Sequence, residues 1–337
     1  MANYLYAVKR LWLKEDKQAY AQWQALLRSS GLQPEADLDD TIGIYDDTVL
    51  IAAGSLSGKI IKCVAVREDY RAENLLAQLM TQLLERLYEK DETHCFLYTK
   101  LSNKAIFRSL GFREIIADEE VLFMEQGKPD FNDYLGYLKA HKKQGDASAI
   151  VMNANPFTKG HQYLVETAAR QSPQVYVFVL SEEKSEFSTS DRLAMVRLGV
   201  AHLKNVTVLR TEDYLVSSAT FPAYFLKDRA PLSIARTQAS LDARLFKERI
   251  APVLGISQRF VGEEPNSKVT EVYNQAMAHV FRDDLTLTVI PRLAVGKQII
   301  SATAVRRAMT DGDEAVLKDF LPETSYRYLM KHEELMR

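Results

Sequence analysis

Cysteine is scarce in this chain: 337 residues hold two, Cys63 and Cys95, far apart in sequence. Lone cysteines fit a reduced interior and exclude a disulfide framework. CxxC and HxxxH pairs are missing, which removes the usual spacings of a structural zinc site. No apolar run approaches the length that spans a bilayer. The opening MANYLYAVKRLWLKED carries charges where a signal peptide would have its apolar core. An excess of one charge is missing too, because 43 Lys and Arg against 45 Asp and Glu leave a net charge of -2. A nucleic-acid backbone is therefore not expected as the main partner. A soluble cytoplasmic protein, with neither nucleic acid nor membrane as partner, is the expectation.

What remains is an ordinary globular mixture, 47% hydrophobic and 26% charged, in a length that suggests two domains. In the first half a helix is predicted over 18–29, and strands over 41–45, 48–53 and 59–66. A long amphipathic helix follows in NLLAQLMTQLLERLYEK, its leucines at helical spacing as a core-packing stripe. The strand HCFLYTK and a short helix before Leu110-Gly111-Phe112 complete this half. The segment from Gln126 to Ala147 is polar and reads as a linking helix and connection. The second half alternates short apolar runs with helical patterns: AIVMN, VYVFVL, VTVLR, RFVGEE and LTLTVIPR. Such alternation predicts a doubly wound parallel sheet, in which ligands bind at the carboxyl ends of the strands.

Three loops at those ends carry candidate chemistry. Asn153-Ala154-Asn155-Pro156-Phe157-Thr158-Lys159-Gly160-His161 follows a strand and opens a helix. Gly160 lets a backbone approach a phosphate, and the helix start offers free N–H donors. His161 can donate to a phosphate oxygen, and Thr158 adds a hydroxyl. The alternative is a plain strand-to-helix turn with a capping Thr and a solvated His. Ile300-Ser301-Ala302-Thr303-Ala304-Val305-Arg306 also opens a helix. Ser301 and Thr303 can cap it and bind phosphate, and Arg306 lies one turn on. A capped surface helix with an exposed Arg is the alternative here. In the third loop, Ser181 to Arg192, Lys184 can neutralise a carboxylate or phosphate, or belong to a solvated charged face.

The pair T-x-G-H and I-S-x-T-x-x-R resembles the paired signatures of the HxGH nucleotidyltransferases, from about Ala147 to the C-terminus. The first His of that signature is Thr158 here, and the second Ser of I-S-S-T is Ala302. Arg192 matches an Arg often found on the following helix of that superfamily. The first half resembles the GNAT acetyltransferases through Val66–Arg71 before the long helix, Asn103–Phe107 and Leu110-Gly111-Phe112. Its coenzyme A loop corresponds to 71–76, where the two expected glycines are Asn74 and Leu76. Side chains there obstruct close backbone approach, so the resemblance implies a degenerate domain that docks a CoA-like group or a partner protein, or supports the fold.

The combination, with Phe221–Phe225, Arg236–Arg244, Arg259–Pro265, Val269-Thr270 and Tyr273-Asn274, resembles the citrate lyase ligase family. That resemblance implies a GNAT-like α+β domain over 1–128, a linker over 129–146 and a Rossmann-like nucleotidyltransferase domain over 147–337. It implies ATP and Mg2+ as cofactors, acetate as substrate, and the citrate lyase acyl-carrier subunit with its CoA-derived prosthetic group as partner. Acetate would be activated as acetyl adenylate and passed to the prosthetic thiol, with AMP and pyrophosphate released. Thr158 and His161 would then serve the α- and β-phosphates, and Ser301, Thr303 and Arg306 the β- and γ-phosphates. Asn155, Gly160, Lys184, Arg192, Gly262 and Glu263 complete the expected ATP site. Asn153 and Asn155 are candidates for acetate, or for satisfying the turn. The alternative activity is adenylyl transfer to a phosphopantetheine-like or mononucleotide phosphate. No dedicated cage for a metal is visible.

Overall fold

The computed structural model describes residues 6–71, 73–119, 121–221, 232–263, 268–282, 284–296, 298–332 and 335. The chain divides into two compact units, Met1–Asp130 and Phe131–Arg337.

The first unit is built on a seven-stranded sheet. Its strands are β1 (Ala7–Arg10), β2 (Asp40–Asp46), β3 (Val49–Ser57), β4 (Ile60–Val66), β5 (His94–Thr99), β6 (Arg113–Ala117) and β7 (Leu122–Gly127). They lie in the order β1-β2-β3-β4-β5-β7-β6. All neighbours are antiparallel except β4 and β5, which run parallel and pair at Ile60–Phe96 and Ile61–Leu97. A parallel pair needs a crossover, and helix α2 (Leu75–Tyr88) supplies it. Of the predicted stripe, Leu75, Leu79, Met80, Leu83 and Leu87 are buried in the core, Leu76 and Leu84 are partly buried against it, and Tyr88, expected there too, is exposed. Helix α1 (Lys17–Ser29) buries Trp23, Leu26 and Leu27 in a second cluster with Leu50, Ala53 and Ala65. This is a mixed α+β architecture.

Three strands of this sheet were not anticipated, β1, β6 and β7. In β7 the run Leu122, Phe123, Met124 and Glu125 is buried without alternation, because Leu122 and Met124 join the core cluster of α2 while Phe123 stacks on Phe96 and Tyr98 and Glu125 bonds His94. Strands enclosed in that way lose the two-residue period that sequence reading depends on. A short helix, α3 (Lys104–Ser109), precedes β6. At the start of α2, Asn74 stands where the resemblance called for glycine and has a left-handed backbone, φ 53°. Asn tolerates that region better than most residues, so the turn keeps a glycine-like shape while carrying a side chain.

The second unit opens with α4 (Phe131–Ala140), in the stretch read as a connection. Phe131 and Tyr134 pack on Tyr214, with ring centroids 4.9 and 5.1 Å apart. Five parallel strands follow: β8 (Ala147–Met152), β9 (Gln174–Val179), β10 (Val206–Arg210), β11 (Ile256–Gly262) and β12 (Thr286–Ile290). Their order is β10-β9-β8-β11-β12. This is the predicted doubly wound sheet, and β9, inside it between β10 and β8, is buried along its whole length. Helix α5 (Lys159–Gln171) follows β8, and α6 (Thr189–Val200) follows β9. Beyond β10 come α7 (Leu232–Leu245), a π turn, α8 (Ala251–Leu254) and α9 (Lys268–Phe281). A two-residue hairpin, β13 (Ala294–Val295) and β14 (Gln298–Ile299), precedes α10 (Ala302–Asp311).

The loop between β8 and α5 rests on a packing contact that requires a glycine. Phe157 is fully buried, and its ring lies against Gly199 in the last turn of α6. A Cβ at Gly199 would come within 2.8 Å of Phe157 Cδ1 and closer still to Cε1. Overpacking of this kind costs about 1–3 kcal/mol, more than the helix propensity gained by alanine. Gly199→Ala is therefore expected to lower the urea midpoint of the full chain; an unchanged or raised midpoint would refute this packing account.

Candidate active site

The strand order reverses between β8 and β11, the switch point at which open parallel sheets form a ligand crevice outside the carboxyl ends of their strands. The β8–α5 loop forms one bank. Thr158 is the N-cap of α5, and its Oγ1 accepts the His161 N–H at 3.4 Å. The Thr158 N–H donates in return to His161 Nδ1 at 3.1 Å. A peptide nitrogen can only donate, so Nδ1 is an acceptor and the imidazole proton sits on Nε2. The ring stacks on Phe157 at 5.9 Å. Burial, with the positive charge of Arg292 added, pushes the His161 pKa down to about 4. At neutral pH His161 is an uncharged donor of fixed tautomer, poorly suited to act as a base.

Gly160 lies in the first turn of α5. A Cβ there would meet Thr158 Oγ1 at 3.5 Å and Ile300 Cγ2 and O at 3.7 Å, which are ordinary contacts. The chain itself therefore does not require a glycine at this position. The same distances bring Ile300 against the start of α5. The next residue, Ser301, caps α10 by accepting the Ala304 N–H at Oγ, 3.1 Å. Two helix N-termini, each with a positive dipole end, thus adjoin. From the second turn of α10, Arg306 donates through Nη1 to Asn155 O at 2.6 Å and through Nη2 to Thr303 Oγ1 at 3.3 Å. Its Nε pairs with Glu186 Oε2 at 2.5 Å. Asn155, Thr158, Gly160, His161, Ser301, Thr303 and Arg306 are so gathered into one cluster.

The β9–α6 loop is tied to the first by its polar groups. Asn155 Oδ1 accepts the Phe187 N–H at 3.1 Å, and Asn153 Oδ1 accepts from Arg192 Nη1 at 2.9 Å. Both donors are unambiguous, so each amide is oriented and keeps its Nδ2 hydrogens for other acceptors. Arg192 is fully buried. Its guanidinium donates to the carbonyls of Leu180, Glu182 and Phe187 at 2.6, 2.8 and 3.0 Å. It stands behind the loop and holds its shape. Lys184, exposed on that loop, donates to Ser218 Oγ at 2.7 Å.

On the other bank, Gly262 ends β11, and a Cβ there would meet nothing within 4 Å. The Glu263 N–H donates to Ile290 O at 2.9 Å, and Glu263 O accepts from Arg292 Nε at 2.7 Å. Glu264 and Pro265, and residues 222–225 of the aromatic run, lie outside the described residues. Phe221 is buried and stacks on Tyr273 at 5.1 Å, in the core. Tyr273 belongs to a buried network, accepting from Arg259 Nη2 at 3.0 Å and donating to Asp242 Oδ2 at 2.5 Å. Arg292 carries no motif and was not singled out in the sequence. The available signal was its position, a charged residue directly beyond the apolar run of β12.

A family model described as the citrate lyase ligase C-terminal domain matches residues 147–329. The chain is 35% identical over 324 residues to the [Citrate [pro-3S]-lyase] ligase of Escherichia coli (strain K12), covering 94% of this chain and 92% of that protein. It is 36% identical over 318 residues to the protein of the same name from Haemophilus influenzae, covering 91% and 94%. A shorter match, 37% identical over 67 residues, joins 19% of the chain to 41% of the phosphopantetheine adenylyltransferase of Symbiobacterium thermophilum.

The neutral state of His161 has a consequence for stability. Its pKa is lowered on folding from 6.5 to about 4, so between these values the unfolded chain takes up a proton that the folded chain refuses. Stability is therefore lost as pH falls through 6.5 toward 4. Linkage sets the loss at pH 5 to at most about 2 kcal/mol for this group. In His161→Gln, urea unfolding at pH 7 and pH 5 should show a smaller acid loss than in the wild type. Equal losses in the two proteins would mean that the ring is not held neutral.

Proposed function

The chain belongs to the citrate lyase ligase family, and from that premise we propose that it activates acetate with ATP and delivers the acetyl group to the prosthetic-group thiol of the citrate lyase acyl-carrier subunit. The observation that carries this reading is the uncharged His161 Nε2–H donor, pinned beside two helix N-termini and Arg306. Such an arrangement suits a reaction in which negative charge grows on phosphate oxygens and no proton need be removed.

Acetate is already ionised at neutral pH and needs no general base. Its oxygen attacks the α-phosphorus of ATP. A new P–O bond forms, the bond to the bridging oxygen breaks, and pyrophosphate leaves with the electron pair. His161 Nε2–H donates to an α-phosphate oxygen, and Thr158 acts by fixing the ring. The first turn of α5, open at Gly160, accepts the phosphate chain. Ser301, Thr303 and Arg306 serve the β- and γ-phosphates, and Mg2+, entering with the substrate as Mg·ATP, would offset phosphate charge. Gly262 and Glu263 border the adenine at the carboxyl end of β11. The Nδ2 groups of Asn153 and Asn155 are the donors offered to the acetate carboxylate. Arg192 and Lys184 serve through the loop that they stabilise. In the second step the thiolate attacks the acetyl carbon, a C–S bond forms, the C–O bond to phosphate breaks, and AMP leaves. The first unit, with Asn74 in the glycine's conformation, docks the CoA-like arm or its carrier protein and performs no acetyl transfer of its own.

The short match to a phosphopantetheine adenylyltransferase favours a second reading, in which AMP is transferred to a phosphate acceptor and retained there. Pyrophosphate release from Mg·ATP separates the two. Acetate should stimulate it in the wild type, and His161→Ala should reduce it by about 100-fold or more, as for loss of one preorganised donor. Stimulation by phosphopantetheine and not by acetate would favour the second reading. Arg306 must also exchange Glu186 for phosphate. Glu186→Gln removes an exposed competitor worth about 0.2–1 kcal/mol, so the apparent KM for ATP should fall by up to about fivefold. A rise in KM would instead assign Glu186 a positive part in nucleotide binding.

A further inference from the structure

A second guanidinium reaches the crevice from a loop that neither motif covers. Arg292 follows β12, and its Nε is fixed on Glu263 O at the carboxyl end of β11. The adjacent Leu293 O accepts the Ile300 N–H at 3.0 Å. Ile300 in turn lies against the first turn of α5, with its O and Cγ2 3.7 Å from the Cβ position of Gly160. The backbone at 292–293 is therefore one hydrogen bond away from the place where the two helix N-termini adjoin. Arg292 is half-buried, and its charge is felt by the His161 ring. Arg306 is anchored on the opposite bank, at Asn155 O in the β8–α5 loop. One guanidinium is thus held on each side of the β8–β11 crevice, and the dipole ends of α5 and α10 add positive potential between them. Arg306 is paired with Glu186, and the Glu263 carboxylate acts on Arg292, so a polyphosphate competes with these carboxylates for the two guanidinium groups. Guanidinium is the side chain best matched to a chain of phosphate oxygens.

We propose that Arg292 is a second polyphosphate-binding arginine, which with Arg306 holds the anionic chain of the nucleotide across the crevice and sets its α-phosphate against the neutral His161. The assignment rests on the reading of this crevice as a nucleoside triphosphate site. It makes Arg292 selective for charge number, because a guanidinium beyond the α-phosphate gains more from a triphosphate than from a monophosphate. It also gives the residue a second effect. A cation next to imidazole disfavours the imidazolium, so Arg292 keeps His161 a donor without charge.

Calorimetric titration of the full chain with Mg·ATP and with AMP, in wild type, Arg292→Gln and Arg292→Lys, tests the proposal. Arg292→Gln should weaken Mg·ATP about tenfold or more, as expected for a lost charge-assisted bond, and AMP by less than about threefold. Arg292→Lys should fall between. In the same proteins, the His161 ring signals followed by NMR against pH should titrate at a higher midpoint in Arg292→Gln and near the wild-type midpoint in Arg292→Lys. Unchanged ATP affinity in Arg292→Gln, equal weakening of ATP and AMP, or an unmoved His161 midpoint each overturns the assignment. A wild type that binds neither nucleotide overturns the triphosphate site itself, and Arg292 with it. A wild type that binds both while Arg292→Gln behaves identically overturns the assignment alone.

Discussion

The hydrogen bond from the Thr158 peptide N–H to His161 Nδ1 sets the chemistry open to this crevice. It uses the one lone pair that would make the imidazole a base, and it leaves the proton on Nε2. Burial then removes the charged form from the neutral pH range. A ring treated in this way can donate a hydrogen bond and do little else. Acid activation by ATP asks for no more, because the nucleophile is already an anion and the leaving group departs as one. The work is to stabilise charge where it grows, with donors whose geometry is fixed before the reaction begins. The wider fold serves that end. The parallel strands deliver two helix starts to one place, Arg192 fixes the loop between β9 and α6, and Gly199 gives Phe157 room to lie under the histidine.

Whether Thr158 caps the helix or serves the phosphate was left open by its sequence, and the structure shows the cap. By capping α5, Thr158 presents its N–H to His161, so the cap is the means by which the histidine is oriented. The departure from a histidine at this position therefore leaves an intact holder for the second histidine. The replacement of a serine by Ala302 is similar in kind. Ser301 still caps α10, and the position of Ala302 in the first helical turn leaves its backbone N–H in place. Backbone donors survive side-chain changes, and helix-start sites tolerate such substitutions for that reason.

Local periodicity made most elements legible, and the spacing of the two motifs marked the helix starts. Groups brought together by strand order were not legible. Arg292 and His161 are distant in sequence, and only the neighbourhood of β8, β11 and β12 relates them. Arg192 carried a family expectation of contact with the nucleotide, yet its donors go to carbonyls of the loop before it. No pattern in the sequence reports which carbonyls will face a buried guanidinium. The strands β6 and β7 were missed for a related reason. Their burial depends on neighbours contributed by distant segments, so the two-residue alternation was absent where the strand was most enclosed.

The first unit shows how a fold can persist while one of its local requirements is relaxed. Asn74 holds the left-handed conformation that favours glycine, and α2 begins after it with no side-chain cap. The crossover helix, the parallel joint of β4 and β5 and the buried leucine stripe are all retained. Packing of that stripe is therefore independent of the glycines that would let a pyrophosphate approach the backbone. A sequence can lose those glycines without losing the sheet, because core burial and ligand approach use different atoms of the same turn. In the second unit the balance is reversed at Gly160, where a Cβ would make only ordinary contacts and packing does not require the glycine. Glycine is kept where packing does not require it and is missing where the architecture survives without it. On the proposed reading, that contrast assigns the phosphate site to the second unit.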